Sequence, residues 1–446
     1  MLPPITQALI LCGGKGVRLG ELTQAVPKPL VTVGGLPVLD HILATLARGG
    51  VNRFILAAGH YGEQIRDRYA RHDFDGCIVE TTIEPIPLGT SGGLPHLRES
   101  LDENFIVAYG DVFLDLDIAG LLHNHRQHAP LATLLVRSSD HPWDSHLVDA
   151  DAEGYVRDFI HRRENGVRYR NIANAGLYAV SRRLLDLVPV GRPSDFGADL
   201  FPAALAAGNN LRVHHLEPQA FIKDMGTPER LLEVESYIAE RALAEKARAK
   251  PGKLNTVFLD RDGVLNKDIG PISHPDQLHL LAGASEAVNL LAQAGLRCVI
   301  LTNQSVVARG LCTPVELELI HSRLRELLTS KSRRDPIEAI YTCLHHPETH
   351  HDEGLPYLRR ACRCRKPEPG LIFQACKELG LDLARCVLVG DRASDIQAAH
   401  SAGVRAILVG LPESRAKARA ICPPDAEFDS LLSFAHSFTK DRPSVV

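Results

Sequence analysis

Thr256-Val-Phe-Leu-Asp-Arg-Asp-Gly-Val-Leu-Asn266 begins as a short apolar run and ends in two carboxylates, Asp260 and Asp262, followed at once by a glycine. A run this short and this apolar suits a strand buried on both faces, with the carboxylates delivered to its end. Two carboxylates two positions apart suit phosphoryl transfer. One attacks phosphorus to form an acyl-phosphate; the other protonates the leaving oxygen and later activates water. Both tasks call for a divalent cation beside the reacting oxygens.

Similar β-rich runs follow at residues 297–301, 339–342, 386–389 and 406–409, and an earlier series lies at 8–12, 53–57, 77–82, 105–109 and 131–136. Helical patterns such as Val38–Arg48 separate them. The alternation predicts an α/β chain with two parallel sheets in tandem, that is, two Rossmann-like domains. Residues 229–250 are rich in Glu, Ala, Arg and Leu and stop at Pro251-Gly252, a helix followed by a breaker pair. The expected organisation is a first domain at 1–235, a helical linker at 236–252 and a second domain at 253–446.

Composition excludes some classes. The 446 residues, 45% hydrophobic and 23% charged, suffice for two or three cores. A formal charge of −4 without long basic runs gives no footprint for nucleic acid. No apolar stretch approaches the roughly 20 residues that span a bilayer, and the start lacks a secretory pattern; the expectation is a cytoplasmic protein with no membrane partner. The sequence is compatible with a homo-oligomer. Of ten cysteines, seven are scattered in apolar segments, whereas Cys343, Cys362 and Cys364 lie near histidines.

After the first strand comes Leu11-Cys-Gly-Gly-Lys-Gly-Val-Arg-Leu19. Gly13, Gly14 and Gly16 let backbone N–H groups approach phosphate oxygens, and Lys15 and Arg18 add charge. Then follow Pro27-Lys-Pro-Leu30, Gly34-Gly-Leu-Pro-Val38, Pro87-Leu-Gly-Thr-Ser-Gly-Gly93, Tyr109-Gly-Asp-Val112, Asn174-Ala-Gly-Leu-Tyr178 and Lys223-Asp-Met-Gly-Thr-Pro228. In this order and spacing they resemble the sugar-1-phosphate nucleotidylyltransferases, with a glycosyltransferase-A-like sheet. The form of Ala57-Ala-Gly-His-Tyr61, Glu84-Pro-Ile-Pro-Leu-Gly-Thr90 and His123-Asn-His125 resembles the branch acting on heptose 1-phosphate. The resemblance implies that a sugar phosphate attacks the α-phosphorus of a nucleoside triphosphate, GTP being favoured. It implies Mg²⁺ on Asp111 and Asp224, Arg18 on the triphosphate, Lys28 beside the reacting phosphates, and Gly89, Thr90 and Gly92 facing base or ribose. The family's Glu-Lys pair is replaced around His161-Arg-Arg163, so Arg162 is expected to supply the positive charge there; Val17 and Gly197 are further departures from the family pattern.

In the second half, Leu301-Thr-Asn-Gln-Ser305, Arg365-Lys-Pro-Glu-Pro-Gly370 and Val389-Gly-Asp-Arg-Ala-Ser-Asp395 follow the opening motif in an order that resembles the haloacid-dehalogenase superfamily. The resemblance implies Asp260 as nucleophile and Asp262 as general acid/base. It implies Thr302 and Asn303 on phosphate, Arg365 and Lys366 offsetting charge, and Mg²⁺ on Asp260, Asp391 and the Asp262 carbonyl; Asp395 is a supporting residue. Three thiolates and an imidazole make a closed structural zinc site. Cys343, Cys362 and Cys364 supply the sulfurs, and the family's Cys-x-His pattern selects His345 over His346; a disulfide is the alternative. His350 and His351 are expected to be loop residues. The zinc-loop form resembles both heptose 1,7-bisphosphate and histidinol-phosphate phosphatases.

The fusion favours heptose, because a bisphosphatase that removes the C7 phosphate makes the substrate of the first half. The expected product is a GDP-heptose, a precursor of bacterial surface glycans. The alternatives are transfer to another hexose 1-phosphate beside a histidinol-phosphate or general sugar phosphatase, and a regulatory protein that senses sugar nucleotides.

Overall fold

In the strand Gln7–Cys12, Ile10 faces one hydrophobic core and Leu9 the other, both fully buried. Period-two alternation with apolar side chains on both faces is what a sheet covered on two sides demands. The computed structural model describes residues 2–440 except 15, 71–73, 75, 141–145, 161–168, 218, 330–333 and 348–354. It divides into two compact units, Met1–Ile238 and Ala239–Val446.

In the first unit, Gln7–Cys12 pairs in parallel with Arg53–Ala58 and Asn104–Tyr109, and Arg53–Ala58 with Ile78–Ile83. The helix Val38–Arg48 buries Leu39, Ile42, Leu43 and Leu46, one face at helical spacing, and stops at Gly49, where a Cβ would strike Ile118. Beyond Asn104–Tyr109 the expectation of a parallel sheet fails. Ala173–Ser181 runs antiparallel to both Asn104–Tyr109 and Ala132–Arg137, so the sheet is mixed. Apolar patterning records burial but not strand direction.

The second unit carries a six-stranded, wholly parallel sheet in which Thr256–Leu259 lies between Arg297–Asn303 and Cys386–Gly390. Val257 and Leu259 enter one core and Phe258 the other. The helix Pro228–Ala249 crosses the unit boundary, and its Ala244 and Ala247 are buried in the second unit's core. A Cβ on Gly403 would lie 2.1 Å from the Ala244 carbonyl oxygen, so this part of the expected linker is packed structure. No helix among the described residues is long and apolar enough to cross a membrane.

Candidate functional sites

Each unit gathers charged residues at the carboxyl ends of its central strands, where open α/β sheets leave a crevice. In the first unit, Val112–Asp115 pairs antiparallel with Phe221–Asp224 in the register Asp224 to Val112. The Met225 N–H donates to the Asp111 carbonyl at 3.0 Å. That ladder brings together two aspartates far apart in sequence. Lys28, only 5% exposed, bonds the Asp111 carboxylate and lies 3.4 Å from Asp224 Oδ1; Asp224 also pairs with Arg230. Arg18 joins them: a Cβ on Gly226 would lie 2.9 Å from its Nη2 and 3.1 Å from both Asp224 carboxylate oxygens. Two hard carboxylate donors around one buried ammonium fit Mg²⁺, which would be held by Asp111 and Asp224 and would neutralise phosphate oxygens.

A cavity of about 350 Å³ opens beside them, lined by Gly13, Gly14, Lys28, Glu84, Thr90 and Asp111 among others. A Cβ on Gly14 would meet nothing within 4 Å. Among the described residues no contact requires a glycine there, whereas a ligand's phosphate against the backbone would. Gly89 also lines the cavity, but Gly16 and Gly92 do not. Gly16 takes φ +65° against Thr23 and Lys28, and a Cβ on Gly92 would lie 2.2 Å and 2.6 Å from the carbonyl oxygens of Leu88 and Arg192. A packing constraint alone thus accounts for glycine at position 92. Thr90 accepts from the Phe196 N–H at 2.9 Å and donates to Asp195 at 2.6 Å, which anchors the loop. The expectation for Arg162 falls outside the described residues, as do Lys15, His350 and His351.

Glu84 was not among the sequence candidates. Its carboxylate lies over Gly93, where a Cβ would be 2.0 Å from Oε1, and burial pushes its carboxyl above the ordinary value. A lone acidic residue before a Pro-Ile-Pro turn is the only sequence signal, and such residues are common in solvated turns.

In the second unit the Asp260 N–H donates to the Val389 carbonyl at 3.0 Å, so the nucleophile candidate sits beside the end of the neighbouring strand, where Asp391 follows. Carboxylate oxygens of Asp260, Asp391 and Asp395 lie within 4.8 Å of one another. Lys366 Nζ reaches Asp260 at 2.8 Å, Asp395 at 2.6 Å and the Leu301 carbonyl at 2.9 Å. Burial lifts the Asp260 carboxyl to about 6, with Lys366 opposing and Asp395 adding to the rise. Burial, then Asp260 and Asp395, lift Asp391 to about 8. Asp391 Oδ1 is buried and has no hydrogen-bond partner among the described residues. An orphaned carboxylate oxygen within an acidic cluster fits a hard divalent cation held by Asp260 and Asp391. That cation would offset charge on the phosphoryl oxygens. Gly263 has φ +86°, and a Cβ there would lie 2.2 Å from Asp391 Oδ2.

The remaining candidates divide. Thr302 lines the cavity of about 420 Å³ above Asp260. Asn303 lines it too, but its amide spans the Lys366 main chain, donating to the carbonyl at 3.0 Å and accepting from the N–H at 3.1 Å. It therefore holds Lys366 in place. Asp395 caps the helix Ala393–Ser401 by accepting from the Arg392 N–H at 3.1 Å, in addition to its contact with Lys366.

Cys343, Cys362 and Cys364 place their sulfurs 3.4–3.6 Å apart, and His345 Nδ1 lies 3.3 Å from Cys364 and 3.8 Å from Cys343. These separations are far beyond a disulfide bond, about 2.05 Å, and match the edges of a tetrahedron with zinc–sulfur bonds of about 2.3 Å. All three thiols are free. Three sulfurs and an imidazole nitrogen fit zinc with no position left for substrate. His346 turns the other way, its Nε2 2.9 Å from Arg309 Nη2, and the His345 carbonyl accepts from Arg365 Nη1 at 3.1 Å. The cysteine–histidine segment thus supports two guanidinium groups at the mouth of the cavity. Arg309 was missed because it stands in an otherwise unremarked segment after the Thr302 motif.

One unit thus holds a crevice with two aspartates around a buried lysine, and the other an aspartate cluster beside a cysteine–histidine group, an arrangement suited to phosphate chemistry. The nucleotidyl transferase family profile matches residues 7–241, and the chain belongs to that family. A HAD-hydrolase-like profile matches residues 363–434. The chain thus joins a nucleotidyl transferase domain to a HAD-hydrolase-like segment.

Among curated relatives, mannose-1-phosphate guanylyltransferase of Mycobacterium tuberculosis is 34% identical over 224 residues, 50% of this chain and 61% of that protein. The catalytic subunit beta of mannose-1-phosphate guanylyltransferase from Danio rerio is 32% identical over 270 residues, 59% of this chain and 73% of that protein. The chain thus spans about three-fifths of the length of the first. HddC from Yersinia pseudotuberculosis, complexed with GMP-PN, aligns at 23% identity over 52% of this chain and 100% of its own, with a TM-score of 0.45. The D,D-heptose 1,7-bisphosphate phosphatase from B. bronchiseptica, complexed with magnesium and phosphate, aligns at 31% identity over 42% of this chain and 100% of its own, with a TM-score of 0.37.

Proposed function

We propose that the chain removes the C7 phosphate from D-glycero-D-manno-heptose 1,7-bisphosphate and then transfers GMP from GTP to the heptose 1-phosphate produced, releasing pyrophosphate. In the second unit, Asp260 attacks phosphorus while Asp262 protonates the leaving C7 oxygen, and Asp262 then deprotonates the water that cleaves the acyl-phosphate. Lys366 and the Thr302 hydroxyl hold phosphoryl oxygens. In the first unit, Lys28 and Arg18 stabilise charge on the phosphates while the sugar phosphate oxygen displaces pyrophosphate in line.

The observation that carries the phosphatase assignment is the pair Arg309 and Arg365. The former meets the His346 imidazole and the latter the His345 carbonyl, and neither has a carboxylate within ion-pair distance among the described residues. Two uncompensated guanidinium groups above a phosphoryl site suit a substrate with a second phosphate. They oppose histidinol phosphate, whose remaining polar groups are an ammonium and an imidazole and include no second anion. The fusion supplies the second argument, since one half makes the other's substrate. The guanylyltransferase relatives and the Glu84 carboxylate, which can accept from guanine N1–H and N2–H₂, support GTP. The same relatives favour one second reading, transfer to mannose 1-phosphate, which shares the manno ring and lacks the seventh carbon.

Wild-type protein is expected to release one equivalent of phosphate from the bisphosphate. Arg309→Met is expected to raise KM for the bisphosphate while leaving hydrolysis of p-nitrophenyl phosphate near the wild-type rate. Equal loss on both substrates would remove the second-phosphate assignment. Pyrophosphate release across GTP, ATP, CTP and UTP, with heptose 1-phosphate and mannose 1-phosphate as acceptors, decides base and sugar; no release with any pair would defeat the transferase assignment.

A further inference from the structure

Gln304 lies one residue beyond the strand Arg297–Asn303 and is 3% exposed, with every polar atom of its amide engaged. Its Nε2 donates to Asp262 Oδ2 at 2.7 Å and to Thr302 Oγ1 at 2.8 Å, and its Oε1 accepts from Arg261 Nη2 at 2.9 Å. The amide orientation is fixed, because a carboxylate demands a donor and a guanidinium an acceptor. Arg261, 1% exposed, grips both Asp262 oxygens at 3.0–3.2 Å, and Asn266 donates to Asp262 Oδ1 at 2.8 Å. The Gln304 N–H donates to the carbonyl of Cys343 at 2.7 Å, which ties the residue to the metal clip.

Two consequences follow from this bonding. Thr302 Oγ1 has a lone pair taken by Gln304, so its own hydrogen is left to donate, and its residue lines the cavity above Asp260. Asp262 meanwhile accepts from Arg261, Gln304 and Asn266 together, which fixes its carboxylate beside, and not within, the cluster of Asp260, Asp391 and Asp395.

We propose that Gln304 is the positioning residue of the phosphatase site: one amide sets the polarity of the Thr302 hydroxyl as a donor to the phosphoryl group and holds Asp262 for proton transfer to the leaving oxygen. This rests on the phosphatase reading above. In the first step the Asp260 oxygen–phosphorus bond forms, the ester oxygen–phosphorus bond breaks, and the Asp262 proton passes to the departing oxygen. In the second step water forms its bond to phosphorus, the acyl-phosphate bond breaks, and a water proton returns to Asp262.

The test is Gln304→Glu in the full chain, which keeps the shape but replaces the donor by acceptors facing Asp262 and Thr302. Gln304→Met, which removes all three bonds at similar volume, is the companion. The substrates are p-nitrophenyl phosphate, whose leaving group needs no proton, and heptose 1,7-bisphosphate, whose alkoxide does. Both variants are expected to raise KM on both substrates through Thr302. The loss in kcat is expected to be roughly tenfold or more greater on the sugar ester, and the first-turnover burst of p-nitrophenolate is expected to survive, since general-acid assistance contributes about 10²–10⁴. Equal losses on the two substrates would assign Gln304 a structural role only and overturn the proposal, as would wild-type kinetics in both variants. If wild-type protein hydrolyses neither substrate, the phosphatase reading itself fails.

Discussion

Gly263→Ala tests whether the acidic cluster is built around a glycine. Gly263 sits at φ +86°, and a Cβ there would lie 2.2 Å from Asp391 Oδ2, 2.5 Å from its Cγ and 3.1 Å from Oδ1, where real Cβ contacts do not fall below 3.0 Å. A left-handed backbone costs an alanine about 1–2 kcal/mol. The overlap forces the Asp391 carboxylate to retreat by about 1 Å, a displacement that costs a catalytic site on the order of 10²-fold in rate. The alanine variant is therefore expected to lose on the order of 100-fold in phosphate release at a fixed Mg²⁺ concentration, with part recovered at higher Mg²⁺, and to unfold about 1–2 kcal/mol more easily. Phosphate release and pyrophosphate release are measured on one preparation, because Gly263 belongs to the second unit and transfer is expected to be unaffected. Phosphatase activity within about threefold of wild type would refute the dependence of the site on the close approach of Asp391 to Gly263.

In the metal-free protein Asp391 titrates near 8, well above its ordinary value of 3.8, because burial and Asp260 and Asp395 disfavour its charge. Protonation is therefore favoured by folding, so the metal-free second unit is expected to lose stability as pH rises from about 4 to about 8, and Mg²⁺ to restore it at pH 8; thermal melts with and without EDTA across that range check the sign. Cys362→Ser combined with Cys364→Ser is expected to abolish zinc by elemental analysis and to raise KM for the bisphosphate through the loss of support for Arg309 and Arg365. Glu84→Gln removes a charge-assisted acceptor, worth about 1.5–3 kcal/mol, so pyrophosphate assays are expected to show its GTP preference over ATP falling by about tenfold or more. Phe258→Ala, at a position 0% exposed in the second core, is expected to cost about 3–5 kcal/mol in denaturant unfolding.

Much of this architecture is written in local sequence. Val257, Phe258 and Leu259 announce a strand buried on both faces, and the residues at or just past the ends of such strands, Gly13, Asp111, Asp260, Thr302 and Asp391, stand where an open sheet places its chemistry. What local sequence hides is the second layer of partners, because it depends on register between distant segments. Only the family resemblance, and not the residues of Lys223-Asp-Met-Gly themselves, puts Asp224 beside Asp111; the antiparallel pairing of Phe221–Asp224 with Val112–Asp115 is what brings them together. Nor does the Thr302 motif reveal that Asn303 serves Lys366 while Gln304 serves Asp262, since adjacent polar residues at a strand end point to different neighbours. Glycines mislead in the same way. Gly14 leaves open space for a ligand, whereas Gly92, in a loop that looks equally suited to a nucleotide, is dictated by two carbonyl oxygens of its own protein. A small residue beside a site thus indicates close approach without saying what approaches, and only the three-dimensional neighbours separate ligand from backbone.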